Sequence, residues 1–281
     1  MQPDLSIIIL NYKTRGLLKE CLRAIRLAHP AISTEIIVVD NASGDGAPEM
    51  VRREFSEVRV IESARNLGYA GGNNLGLRAA TGRHLMVMNP DIIVFPQSLE
   101  TLVRFLDEHP DVGLVGPRLA NPDGSLQHSC YRFHTPWTPV LRRTPLGSLP
   151  WARRALRSFL MEDEDHTRTL DVDWLLGGAI VARREAVEQV GLLDERFFLY
   201  FDDVDWSRRF WKAGRRVVYV PNAYMVHFHQ RASAEGRWWS ILQSRTGRAH
   251  VVSAFKYFFK YRGEPHPRGP SRYADRTPDH S

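Results

Sequence analysis

Two hydrophobic rhythms alternate along the chain. Short β-branched runs at residues 6–10 (SIIIL), 36–39, 58–61 and 85–88 read as buried strands. Between them apolar residues fall at helical spacing, most clearly Leu17, Leu18, Cys21, Leu22 and Ile25. Further helices are expected near 47–54, 72–80 and 98–108, and a further strand at 112–115. Wholly apolar strands separated by helices predict a mostly parallel sheet covered on both faces. After residue 117 the pattern weakens. Residues 118–170 are rich in Pro, Arg and Trp and are expected to form an insertion or mobile loop region. Periodicity returns at 171–182, followed by helices near 183–190 and 205–213 and a strand at 217–220. A long aromatic, basic helix is expected over 236–262, and a Pro/Gly/charge-rich disordered tail over 263–281.

With 281 residues, 43% of them apolar, the chain is long enough to bury a sizeable core without covalent staples. Its two cysteines, Cys21 and Cys130, sit in no CxxC or Cys/His cluster and are expected to be free thiols in a reducing compartment. The opening MQPDLSIIILN lacks a basic n-region and reads as a strand, and no apolar run reaches the roughly 18–20 residues of a membrane span. The expectation is a cytoplasmic protein. A formal charge of +6 suits a phosphate-bearing ligand or an anionic membrane surface. It is too small to argue for nucleic acid, and no recognition helix or zinc finger supports that partner.

In parallel sheets ligands bind beyond the carboxyl ends of the strands, so the residues just after each strand carry the chemistry. Asn11 follows the first strand and Asp40 the second; an aspartate there can accept from a nucleobase or ribose, or form an Asx turn. Residues 66–74 (NLGYAGGNN) follow the third, with Asn66, Gly68, Gly71, Gly72 and Asn73 in a glycine-rich loop that lets backbone approach a ligand before a helix N-terminus. Asn89-Pro90-Asp91 follows the fourth: a carboxylate on a rigid turn, placed to hold a divalent cation, or a plain turn. Downstream, Asp202, Asp203 and Asp205 crowd beside five aromatics, where shielding can raise a carboxylate toward general-base use; capping of the next helix competes. His227 is a further candidate metal ligand, and His229, two residues on, would project to the same side of an extended chain.

Taken together, SIIILNY, IIVVDNASGDG, NLGYAGGNN, MNPD, GGAIVARREAVEQVGLLDERFFLYFDDVDWSRR and AYMVHFHQRAS give a sequence that resembles the family 2 glycosyltransferases of the GT-A fold over about residues 5–233. The branch it looks most like includes rhamnosyl- and galactofuranosyl-type transferases. The resemblance implies an α/β, Rossmann-like domain over 1–235: a nucleotide-binding half (1–117), the 118–170 insertion and an acceptor and catalytic half (171–235). It implies an inverting, metal-dependent transferase using Mg²⁺ or Mn²⁺, with dTDP-rhamnose as the first expected donor and UDP-sugars as the second. The acceptor is expected to be a glycan or lipid-linked glycan of the cell envelope. By the same resemblance Asp40 recognises the nucleoside with the loop from Asn66 nearby, Asp91 and His227 bind the metal, and Asp203 is the catalytic base. Trp174, Gly177, Gly178 and Asp202 border the acceptor side. The sequence departs from the family in two places: Asn89 stands where many relatives carry another Asp, and Asp202 precedes Asp203 where a Glu-Asp pair is usual.

The 236–262 segment interleaves Trp238, Trp239, Phe255 and Phe259 with Arg and Lys, which suggests peripheral membrane contact; packing on the domain or a homodimer contact competes. Two other activities are weighed. A sugar nucleotidyltransferase would carry a glycine-rich basic phosphate loop directly after the first strand, and Asn11-Tyr12-Lys13-Thr14-Arg15-Gly16 fits that poorly. A non-catalytic nucleotide-sugar-binding module would have no use for Asp91, Asp203 and His227 together.

Overall fold

The computed structural model describes residues 2–142, 144–228 and 244–269. Its first half is a parallel sheet. β1 (Leu5–Asn11), α1 (Arg15–Ala28), β2 (Thr34–Asp40), α2 (Ala47–Glu54), β3 (Arg59–Glu62), α3 (Gly68–Ala79) and β4 (His84–Met88) follow one another, and the strands lie in the order β3-β2-β1-β4. The sheet extends through a second group. This comprises β5 (Ile92–Val94), α4 (Ser98–Glu108), β6 (Val112–Ala120), β7 (Leu126–Gln127), β8 (Cys130–Tyr131), α5 (Thr138–Leu141), α6 (Pro150–Phe159), β9 (Leu170–Asp171), β10 (Trp174–Leu175), β11 (Ala179–Arg183), α7 (Arg184–Val190), α8 (Asp202–Lys212), β12 (Arg216–His227) and α9 (Arg245–Lys260). The order continues β4-β11-β6-β12-β5, with β7 edging β6 and β9 edging β12. β11 runs antiparallel to β4 and β6, while β12 is parallel to β6. β8 and β10 form a separate two-stranded sheet.

Period-two alternation sends side chains of one strand to opposite faces, and both faces are covered. Ile7, Ile9, Val38 and Met86 pack with Leu18, Leu22 and Ile25 of α1 and Leu102 of α4. Ile8, Ile37 and Val87 pack on the other face with Leu77 of α3 and Trp206 and Phe210 of α8. A third, aromatic cluster holds Tyr131, Phe159, Trp174, Phe197, Phe201 and Tyr257, joining α6, the small sheet, α8 and α9. Cys21 and Cys130 are buried and free.

The structure alters the sequence expectation in two stretches. Residues 118–170 contain the end of β6, β7, β8, α5 and α6; all but α6 are too short for a periodic signal, and α6 interleaves three arginines with its apolar residues. Residues 263–269, expected in a disordered tail, pack against the domain: Arg208 donates to the Pro265 carbonyl at 3.0 Å and Arg268 pairs with buried Asp173 at 2.8 Å. Residues 236–243 of the expected basic helix and residues 270–281 of the tail lie outside the described residues, as does His229.

Two glycines report opposite constraints. A Cβ at Gly82 would lie 2.6 Å from the Ser6 backbone nitrogen, whereas one at Gly16, in the first turn of α1, would meet nothing within 4 Å. We expect Gly82→Ala to cost about 1–3 kcal/mol through backbone displacement and Gly16→Ala to gain about 0.5–1 kcal/mol from helix propensity. Urea unfolding midpoints of the two variants check both signs.

Candidate active site

The β1–β2 edge of the crevice is built by side chains that bridge adjacent strand ends. Asn11 and Asp40 are partners in the β1–β2 register. Asn11 Nδ2 donates to Asp40 Oδ1 and to Ser43 Oγ, both at 2.9 Å, and the Ser43 N–H donates to Asp40 Oδ2 at 3.0 Å. Asp40 therefore closes an Asx turn while buried, and each of its oxygens keeps a lone pair toward the crevice. Asn41, which follows the second strand and to which the sequence assigned no role, staples the glycine-rich loop. Its Oδ1 accepts from the Leu67 N–H at 2.8 Å and its Nδ2 donates to Asn66 Oδ1 and the Gly68 carbonyl at 3.1 Å. The only sequence signal for it is adjacency to Asp40.

The glycines of this loop differ from their expected use. Gly68 is left-handed (φ +75°), and a Cβ there would lie 2.3 Å from the Phe198 carbonyl. At Gly72 a Cβ would lie 2.4 Å from Leu10 Cδ1, and at Gly71 it would meet Leu67 at 2.9 Å. Their missing side chains admit protein rather than ligand, bringing α3 close to β1. Asn73 is buried inside α3, where its Nδ2 donates to the Tyr69 carbonyl at 3.0 Å.

Asp91 and His227 meet because β5 and β12 pair. His227 lies opposite Ile92, one residue beyond Asp91. His227 Nε2 stands 3.3 Å from Asp91 Oδ1, and its Nδ1 is 2.6 Å from Gln127 Oε1. An amide oxygen only accepts, so Nδ1 donates to Gln127 and the ring is held with Nε2 facing Asp91. A carboxylate oxygen and an imidazole nitrogen facing each other are two donors aimed at one point. Asp91 Oδ1 is also buried without a hydrogen bond. A carboxylate and an imidazole are ligand types that a divalent cation takes, so this pair would fit one. Among the described residues no third His, Cys, Asp or Glu completes a protein cage. Asn89 anchors the turn through its backbone, its N–H donating to the Gly178 carbonyl at 2.8 Å. Gln127, which orients His227, sits in a stretch with no recognisable pattern.

The acidic cluster separates into two roles. Asp205 is fully buried and structural. It pairs with Arg209 at 2.8 Å, with Lys260, and with the Tyr261 hydroxyl at 2.7 Å, so it ties α9 to α8. Asp202 and Asp203 open α8, behind two consecutive left-handed non-glycine residues, Tyr200 (φ 67°) and Phe201 (φ 65°). Such positions cost on the order of 1–3 kcal/mol each and persist only when packing fixes them; here Phe201 is buried in the aromatic cluster. Asp203 Oδ2 accepts from the Gly177 N–H at 3.0 Å and Oδ1 from the Val204 N–H at 2.9 Å. Enclosure of its carboxylate raises its pKa to about 6 despite those donors. Burial first, and then the neighbouring Asp203 charge, hold Asp202 well above the usual carboxylate range.

Tyr69 joins these parts, and sequence reasoning missed it. Its hydroxyl donates to the Gly177 carbonyl, and its phenol is pushed well above its usual range by burial and by Asp202, Asp203 and Asp91. Trp174, expected on the acceptor side, is buried instead. It stacks on Tyr131 at 4.2 Å and donates to the Arg132 carbonyl at 2.9 Å, supporting the wall from behind. Gly177 and Gly178 do reach the site: a Cβ would lie 3.2 Å from the Tyr69 hydroxyl at the first and 3.3 Å from His227 Cε1 at the second.

Solved structures share this architecture. The mannosyltransferase PcManGT from Pyrobaculum calidifontis, in complex with GDP-Man and Mn²⁺, superposes with a TM-score of 0.61 at 23% identity, over 95% of this chain and 67% of that one. GalNAc-T7 with UDP, GalNAc and Mn²⁺ gives 0.59 at 16% identity, over 80% of this chain and 44% of that one. The fold is that of the GT-A glycosyltransferases. Residues 6–191 match glycosyl transferase family 2, and the chain belongs to that family and is a glycosyltransferase. A Mycobacterium tuberculosis protein, N-acetylglucosaminyl-diphospho-decaprenol L-rhamnosyltransferase, is 30% identical over 84% of this chain and 79% of its own length. The low-salt glycan biosynthesis hexosyltransferase Agl10 of Haloferax volcanii is 27% identical over 74% of this chain and 62% of its own.

The raised Asp202 gives a stability prediction with a definite sign. Its folded pKa lies above the unfolded value, so the folded state loses stability as pH rises and Asp202 ionises. Asp202→Asn is expected to stabilise the fold at pH 8 by about 0.5–2 kcal/mol. The gain should shrink at pH 5, which melting curves at the two pH values measure.

Proposed function

We propose that the protein is a metal-dependent, inverting transferase that moves rhamnose from dTDP-rhamnose to a hydroxyl of a cell-envelope glycan or lipid-linked glycan. The observation that carries this reading is the enclosed Asp203 carboxylate, of raised pKa, on the same edge as the Asp91–His227 pair. Asp203 accepts the proton of the acceptor hydroxyl as that oxygen bonds to the anomeric carbon. The bond from that carbon to the diphosphate oxygen breaks, and its electron pair leaves with the nucleoside diphosphate. One displacement inverts the anomeric centre. Asp91 and His227 would hold Mg²⁺ or Mn²⁺, which supplies charge neutralisation for the departing diphosphate. Asp40, Asn11 and Asn66 border the nucleoside, while Asn89 and the backbone of Gly177 and Gly178 position the reacting groups.

The rhamnosyltransferase relative supports the donor and the lipid-linked acceptor. A UDP-sugar donor is the second reading. Peripheral contact with the cytoplasmic face of a membrane accords with a lipid-linked acceptor. Among the described residues no helix is long and apolar enough to cross one.

The test is nucleoside diphosphate release from a panel of dTDP-, UDP- and GDP-sugars, with and without Mn²⁺ or Mg²⁺. Metal-dependent release from dTDP-rhamnose is expected, and silence across the panel together with no nucleotide binding would sink the proposal. Asp203→Asn should lower turnover by about 10²–10⁴-fold while leaving nucleotide affinity within a factor of about three. Because the base works ionised, kcat/KM in wild type should fall as pH drops below about 6, roughly tenfold per unit.

A further inference from the structure

Charge is distributed unevenly along this chain. Residues 124–161 and 236–263 together carry twelve of its 38 Lys and Arg and none of its 32 Asp and Glu. The remainder is therefore acidic, with 26 basic residues against 32 acidic ones. The same two stretches hold eight of the thirteen exposed large hydrophobics among the described residues, so exposed apolar surface is concentrated rather than scattered. Around α5 and α6, Trp137 is 68% and Trp151 60% exposed, with Leu146 and Leu149 also exposed between them. On α9, Val252, Phe255 (75%) and Phe259 (80%) recur at helical spacing on the side opposite Ala254, Tyr257 and Tyr261, which are buried.

These stretches meet in space. His134, just before α5, packs on Phe201 with ring centroids 4.9 Å apart, and His250 of α9 packs on the same ring at 5.3 Å. Phe159 of α6 and Tyr257 of α9 belong to the same aromatic cluster. Phe201 immediately precedes Asp202 and Asp203, so both stretches lean on the residue that leads into the proposed catalytic turn. Arg153 and Arg154 on α6 form no ion pair with a carboxylate among the described residues.

We infer that the 137–157 surface docks on an anionic lipid bilayer. A bilayer accepts both halves of this chemistry, aromatic and Leu side chains at the acyl boundary and guanidinium groups among anionic headgroups. A second copy would set arginine against arginine. The inference rests on the transferase reading only for its purpose, which is to bring a lipid-linked acceptor to the turn beyond Phe201. It also gives residues 118–170 a role that the sequence left open.

The experiment is flotation of the full chain with vesicles of phosphatidylcholine alone and with one third phosphatidylglycerol, alongside acceptor-free donor hydrolysis. Wild type is expected to float with the anionic vesicles and to be released by high salt. Trp137→Ser/Trp151→Ser and, independently, Arg153→Glu/Arg154→Glu should each reduce the floated fraction on the order of tenfold, with circular dichroism and donor hydrolysis unchanged. Wild type that fails to float, floats equally on neutral vesicles, or floats as well when mutated overturns the assignment. So does a dimer in sedimentation equilibrium that the tryptophan variant dissolves, since a second copy would then be the occupant. Wild type that hydrolyses donor but does not float removes the docking surface and leaves the transferase reading standing; wild type that floats but hydrolyses no donor does the reverse.

Discussion

The backbone at Gly177 and Gly178 is the constraint on which the site's geometry depends. Three chain segments far apart in sequence hang from these two peptide units. The Gly177 N–H donates to Asp203, the Gly177 carbonyl accepts from Tyr69, and the Gly178 carbonyl accepts from the Asn89 N–H. No side chain fits there without pressing on Tyr69 or His227. Neither residue has the positive φ that usually explains a glycine; the demand is for space alone. The first turn of α3, the turn after β4 and the start of α8 are therefore tied to one point by hydrogen bonds to these peptide groups rather than by surface ion pairs of low individual worth.

Strain is stored next to that unit. Left-handed Tyr200 and Phe201 aim the first turn of α8 at the crevice, and the aromatic cluster holds them there. The same packing encloses Asp203 and raises its pKa, so conformational strain and a poised carboxylate share one cause. Asp205, two residues later, shows the alternative: with Arg209, Lys260 and Tyr261 around it, a fully buried carboxylate becomes a structural tie. The number of donors around each carboxylate separates the two roles.

How much of this was legible in the sequence follows from the range of each interaction. The strands and α1 read clearly because their burial follows local period-two and period-3.6 rules. Asp91, Asp203 and His227 could be named by resemblance, since they fall inside contiguous motifs (MNPD, FFLYFDDVDW and AYMVHFH). Gln127, Tyr69 and Asn41 could not, because their roles are hydrogen bonds to partners 100, 108 and 25 residues away that no local pattern encodes. Gly72 misled for a related reason: a glycine that makes room for a ligand and one that makes room for Leu10 look alike until α3 is docked on β1. Residues 263–269 read as tail because their anchors, Arg208 and Asp173, lie in other parts of the chain.

The electrostatics of the crevice connect the site to its proposed substrate. Asp40, Asp91, Asp202 and Asp203 converge on one edge with no Lys or Arg paired to them in a salt bridge among the described residues. A diphosphate that approaches Asp40 and Asp91 meets carboxylates of like charge, a penalty that grows as water is excluded. In the proposed reaction a divalent cation held by Asp91 and His227 would reverse the sign where the departing diphosphate's charge is received. Asp203, of raised pKa, is the proposed base, and burial keeps Asp202 beside it well above the usual carboxylate range, so that it adds little charge. The facing Oδ1 and Nε2 atoms of Asp91 and His227 mark where such a cation would fit.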